Sequence, residues 1–186
     1  TAGGVFFTEG KVGQAFSFDG DDDAIIVPDS DNLDVSSITI DAWIKPEDVG
    51  SNEQQLILSK STGEITAYAL AIDLDENSNS NKILCVLYSD GDIINGPGLF
   101  LGFSVDQNVP INEWTHVSCT YDSVSHVGKL YIDGIEIDSQ TKVLDPDFAL
   151  DSDLNIAGLS YWGYNFNGLI DEVEIFDRAL TAEEIK

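Results

Sequence analysis

Basic residues are scarce in this 186-residue chain: Lys and Arg together number 8 against 34 Asp and Glu, a formal net charge of −26, and Arg178 is the only arginine. A field of that sign repels phosphate backbones and anionic lipid headgroups, so no nucleic acid and no membrane partner is expected, whereas cations are attracted. No run of 18 apolar residues occurs, which leaves no candidate membrane-spanning helix. Histidine is limited to His116 and His126, and neither a zinc-ligand set nor a Ser-His-Asp arrangement is visible. Cysteine is limited to Cys85 and Cys119, each inside an apolar strand-like run, with no CxxC pair. Two buried free thiols are the expectation; a disulfide between neighbouring strands is the alternative in a secreted module.

With 5 prolines, 16 glycines and 42% hydrophobic residues, the composition is that of a globular chain. The length suits one domain over residues 1–186, in which a β-sandwich could bury a sizeable core. Short strand signals recur between turn residues throughout. Ala15–Phe18 and Ala24–Val27 bracket the acidic turn Asp19-Gly-Asp-Asp-Asp23, which reads as a hairpin tip. Ile38, Ile40, Ala42 and Ile44 alternate with polar positions, and the phase of Trp43 puts it on the opposite face from that apolar set. Gln55–Ser59 with Ala67–Ile72, and Trp114–Tyr121 with Lys129–Asp133, read as hairpins, and residues 89–113 form a long irregular stretch suited to binding. Near the end, Leu169–Phe176 reads as a strand with Asp171 set inside its apolar run, where burial is costly unless the carboxylate is paired or bound. Thr181 and Glu184 have capping-box spacing, so a short C-terminal helical turn is expected, and no earlier stretch has a helical period. The fold class is therefore all-β, a two-sheet antiparallel sandwich.

Five stretches, in order, carry a resemblance: Gly10–Pro28 with its Phe18-Asp-Gly20, Ile38–Pro46 with its Trp43, Trp114-Thr-His-Val117 running to Asp122, Tyr131-Ile-Asp-Gly134, and the closing Phe166-Asn-Gly-Leu-Ile-Asp-Glu172 through Ile185. Together they resemble the laminin G-like, concanavalin A-like jelly-roll modules over nearly the whole chain. The resemblance implies the jelly-roll strand order. It also implies a structural calcium where the first hairpin meets the final strand, with Asp19, Gly20 and Asp171 at matching positions and Asp23 as a further candidate. Calcium takes six to eight oxygen ligands, and the turn supplies several carboxylates within five residues. The alternative is that Asp19 and Gly20 only make the turn while Asp171 accepts backbone N–H groups.

Jelly-roll glycosidases resembling the laminarinases place Glu-x-Asp-x-Glu along one strand face. The nearest spelling here is Glu136-Ile-Asp-Ser-Gln140, in which the amide of Gln140 cannot donate the proton a leaving group needs. No catalytic residues are therefore expected. Sugar rings stack on aromatic side chains while their hydroxyls bond amides and carboxylates, so Tyr161, Trp162, Tyr164 and Asn165, with Asp90 from the long loop, form the candidate carbohydrate-binding set. Arg178 is expected to tie the tail to the sandwich through a carboxylate. The functional expectation is a non-catalytic, calcium-stabilised carbohydrate-binding or adhesion module, part of a larger multidomain chain that is secreted or on the cell surface and meets a glycan or another cell-surface ligand. A structural spacer or protein-adhesion module, and then a glycoside hydrolase, are the alternatives.

Overall fold

The computed structural model describes residues 3–48, 54–62, 66–75, 80–88, 99–101, 108–144, 150–158 and 163–186. Among the described residues thirteen strands follow in chain order: β1 (Phe6–Glu9), β2 (Gln14–Asp19), β3 (Ile25–Val27), β4 (Ile38–Pro46), β5 (Gln54–Ser61), β6 (Thr66–Asp75), β7 (Ser80–Leu87), β8 (Leu99–Leu101), β9 (Thr115–Asp122), β10 (Val127–Ile132), β11 (Ile135–Thr141), β12 (Leu154–Ile156) and β13 (Asn167–Phe176). They form a seven-stranded sheet in the order β1-β2-β13-β4-β9-β10-β11 and a six-stranded sheet in the order β3-β12-β5-β6-β7-β8. A short 3-10 turn at Asp31–Leu33 lies between β3 and β4.

The two sheets enclose one apolar core, and the period-2 pattern decides which residues enter it. Along β4, Ile38, Ile40, Ala42 and Ile44 are completely buried and meet Leu70, Ile72 and Cys85 in the same cluster. The opposite side of β4 carries Thr39, Asp41, Trp43 and Lys45, as the alternation anticipates for Trp43. Full burial of one Ile side chain stabilises by roughly 2 kcal/mol. Cys85 of β7 and Cys119 of β9 are bonded as a disulfide with their Cα atoms 6.3 Å apart. The expectation of free thiols is corrected, and so is the geometry of its alternative: the bridge links strands of different sheets and crosses the core.

The acidic turn is also not a hairpin tip. Its flanking strands belong to different sheets, β2 to the larger and β3 to the smaller, so residues 20–24 carry the chain across the sandwich edge. β1, which no sequence pattern singled out, adds an edge strand against β2, pairing Phe7 with Phe16 at a ring separation of 5.0 Å.

At the C-terminus, Thr181 N–H donates to Glu184 Oε2 at 2.9 Å and Glu184 N–H to Thr181 O at 3.0 Å, closing the expected turn. Leu180 and Ile185 pack on Tyr131. Arg178, however, pairs with Glu184 inside the tail, through two bonds of 2.9 Å, and not with the sandwich. Thr39 does the tying instead: its hydroxyl donates to Arg178 O at 2.8 Å and accepts from Leu180 N–H at 2.9 Å.

Candidate functional site

The turn after β2 gathers three carboxylates. Asp19, Asp22 and Asp23 each offer an oxygen within 4.8 Å of the others. Local geometry enforces this. Gly20 has φ +79°, and a Cβ there would lie 2.8 Å from Asn167 Cβ, so only glycine fits the turn beside the start of β13. Asp19 Oδ1 accepts from Asp21 N–H at 2.9 Å, and Asp19 N–H in turn donates to Asp23 Oδ2 at 3.2 Å. Asp23, only 3% exposed, also accepts from Gly4 N–H. None of the three has a Lys or Arg ion-pair partner among the described residues. Three converging carboxylates without a counter-charge are a donor set of the hard-oxygen kind that calcium takes, so these residues fit such an ion.

Asp171 stands elsewhere. Asn167, at the start of β13, pairs with Asp19, whereas Asp171 lies four residues further along and pairs with Trp43 of β4. Its carboxylate accepts from Val12 N–H and Glu172 N–H, both at 2.9 Å, and it is 4% exposed. The structure thus brings Asp19, Gly20 and Asp23 together, adds Asp22, and separates Asp171 as the clamp of the β1–β2 loop. A bulge follows at once: the register shifts between Asp171 and Glu174, with Glu172 at φ 47°, which accounts for the broken alternation in the sequence.

Of the candidate sugar-binding residues, Asp90, Tyr161 and Trp162 lie outside the described residues. Tyr164 packs, half-buried, against Leu56, Ala69, Ala71, Leu84, Val86 and Tyr88 on the outer face of the six-stranded sheet. Asn165 instead donates its amide to Asp21 O and braces the acidic turn. The two described members therefore do different things.

Glu136 pairs with Lys129 at 2.8 Å, and Asp138 accepts the Gln140 amide at 3.1 Å, so the strand spelling nearest to a glycosidase triad is engaged in cross-strand and local bonds. Two charge clusters escaped sequence reading. Lys60, wholly buried, pairs with Asp29 and, at 3.0 Å, with Asp34. Burial opposes the Lys60 charge, yet the bonds to both carboxylates outweigh it and raise the pKa, while the Lys60 bond lowers that of Asp29. Burial likewise pushes the Tyr68 hydroxyl up. On the outer face of the larger sheet, His116 Nε2 lies 2.8 Å from Asp41 Oδ2, and the His116 ring is 5.1 Å from Trp43, whose face is covered by Lys11 Nζ at 3.9 Å. Both clusters join residues remote in sequence, and no local motif marks them.

The sequence profile of the concanavalin A-like lectin/glucanases superfamily matches residues 19–186. The chain belongs to that superfamily. No curated protein sequence matches it. Among solved structures, this superfamily member is similar to domain 4 of AbnA, a GH43 extracellular arabinanase from Geobacillus stearothermophilus, in complex with arabinotriose, with TM-score 0.74, 21% identity, and 98% of this chain against 80% of that one covered. A putative carbohydrate binding protein from Bacteroides ovatus gives TM-score 0.67 and 18% identity over 92% of this chain and 45% of that one. The botulinum neurotoxin serotype G binding domain gives 0.71 and 18% over 100% and 44%. The chain thus spans less than half the length of the latter two, and at these identities the likeness is one of fold.

Proposed function

We propose that this chain is a non-catalytic carbohydrate-binding module of a larger secreted or cell-surface protein, stabilised by a calcium ion held at Asp19, Asp22 and Asp23. The observation that carries the binding reading is the match of 98% of the chain to an arabinanase domain whose structure is in complex with arabinotriose. The bonds already made by Glu136 and Asp138 favour binding over hydrolysis. Among the described residues no helix is long and apolar enough to cross a membrane, and the net charge of −26 favours neutral ligands over anionic ones.

Calcium, when bound, would neutralise the mutual repulsion of three carboxylates and lock the crossover between the sheets. Asp23, the buried member, already fixes the turn through Gly4 and Asp19. The testing experiment is a glycan array probed with the protein in calcium and in chelator, with melting curves on the same samples. Binding together with a calcium-raised melting temperature supports both parts of the proposal. A calcium-raised melting temperature without glycan binding moves the reading to a protein-adhesion or spacer role, and an unchanged melting temperature refutes the ion.

A further inference from the structure

The outer face of the seven-stranded sheet carries a cleft of about 470 Å³, two residues along β2 and β13 from the Asp19–Asn167 pair, that mixes one aromatic ring, one ammonium group, two carboxylates and two hydroxyls. Register builds it. Ser17 of β2 pairs with Leu169 of β13, and Leu169 pairs with Lys45 of β4, so the three form one cross-strand row on the side away from the core. Trp114 extends that row beyond the last β4–β9 pair, Ile44 with Thr115. Glu47 lines the cleft at the Lys45 end, and Thr8 and Glu9 line it from β1.

Two features set this cleft apart. Trp43, two residues along β4, has its ring covered by Lys11 and flanked by His116, whereas Trp114 has no ring or cation contact among the described residues. Lys45, Glu9 and Glu47 share the cleft yet form no ion pair with one another or with any described residue. Their donors and acceptors stay available around a half-exposed indole. An apolar platform ringed by unused polar groups matches a sugar, which presents an apolar ring face and hydroxyls at its edge. Two carboxylates against one ammonium disfavour acidic sugars. Phe6, 71% exposed, pairs with Ser17 and so stands at the far end of the same row. Four strand spacings, about 19 Å, separate the two aromatic ends, a span that fits an oligosaccharide rather than a single ring.

We propose that this cleft, centred on Trp114 and Lys45, binds a segment of a neutral oligosaccharide; the proposal rests on the carbohydrate-binding reading and gives it a location. The test is titration of the protein with arabinotriose, xylotetraose and cellotetraose, read by calorimetry and by the assigned indole N–H resonance of Trp114. The expected result is a shift of that resonance with at least one of the three, and an affinity loss of at least about tenfold, or ~1.4 kcal/mol, in Trp114→Ala. Lys45→Ala is expected to weaken the same ligand and Tyr164→Ala to leave it unchanged. Trp114→Phe, which keeps a platform, guards against misfolding of the alanine variant and should retain part of the affinity. Undiminished binding by Trp114→Ala and Lys45→Ala would overturn the cleft while leaving carbohydrate binding standing elsewhere. No binding of any of the three sugars by the parent protein would overturn the cleft as a neutral-oligosaccharide site, and a blank glycan array would overturn the reading beneath it.

Discussion

Removing the Cys85–Cys119 bridge by a double change to alanine should lower stability by an amount that follows from the fold. The bond closes a segment with sequence separation 34. In the chain-entropy description, releasing a loop of that length returns about 4 kcal/mol of conformational freedom to the unfolded state. A domain of this size has an unfolding entropy near 0.4 kcal/mol per degree at its midpoint, so the melting temperature should fall by about 10 °C. Both sulfurs are wholly buried in the core, and a cavity left by their truncation adds to the loss, which makes this a lower figure. The assay is thermal unfolding followed by circular dichroism, with a thiol titration of the unfolded parent protein before any reductant. Two titratable thiols in the unfolded, unreduced protein would show that the bridge does not form. A melting temperature unchanged within two degrees or so, with the bridge present in the parent, would refute the loop-entropy reasoning.

Lys60→Met should destabilise by about 3 kcal/mol, the low end for breaking a buried pair, because Asp29 and Asp34 each keep 26% side-chain exposure and regain some water; denaturant titration measures it. Asp171→Ala should cost about 2 kcal/mol by leaving Val12 and Glu172 N–H groups without their acceptor, yet leave any calcium-dependent rise in melting temperature intact, whereas Asp22→Asn should reduce that rise. The Glu184 carboxyl is held at about 2 by its bonds to Arg178 and then to Thr181 N–H. Because the folded-state pKa is depressed, this contribution to the tail is present above the ordinary value near 4.5 and lost as pH falls toward 2. A carbon-detected titration should find that low midpoint, and Arg178→Ala should move it up.

What the sequence made legible was whatever depends on period and on local spacing. The alternation of Ile38 to Ile44, the side taken by Trp43 and the turn between Thr181 and Glu184 follow from neighbours within a few residues, and the structure has all three. The site was legible only in part, for a physical reason: period gives the face of a strand but not the sheet to which it pairs. Asp19 and Asp171 look like two ends of one site until the β2–β13 register sets Asn167, and not Asp171, beside Asp19. The bridge between Cys85 and Cys119 and the Lys60 cluster depend on the same long-range pairing. Arg178 shows the converse. Its partner is six residues away within the tail, closer than the sandwich carboxylate sought for it.

The two outer faces of the sandwich differ in a way that bears on where a ligand can sit. On the six-stranded sheet the centre of the outer face is the aliphatic patch of Leu56, Ala69, Ala71, Leu84 and Val86, already buried under Tyr88 and Tyr164, with the polar row Gln54, Asp73 and Lys82 to one side. On the seven-stranded sheet the outward positions are Asp41, Trp43, Lys45, His116 and Leu169, mostly polar. Much of that face is already engaged. The tail lies over Tyr131 and Thr39, the β1–β2 loop reaches Trp43 and Asp171, and His116 is bonded to Asp41. Between these covers, among the described residues, lies the row from Ser17 to Trp114, in which Lys45 makes no ion pair. A protein with 34 acidic side chains and 8 basic ones leaves Lys45 without an ion pair there among the described residues. Lys45, Glu9 and Glu47 line the cleft without an ion pair among the described residues, so each can bond a sugar hydroxyl.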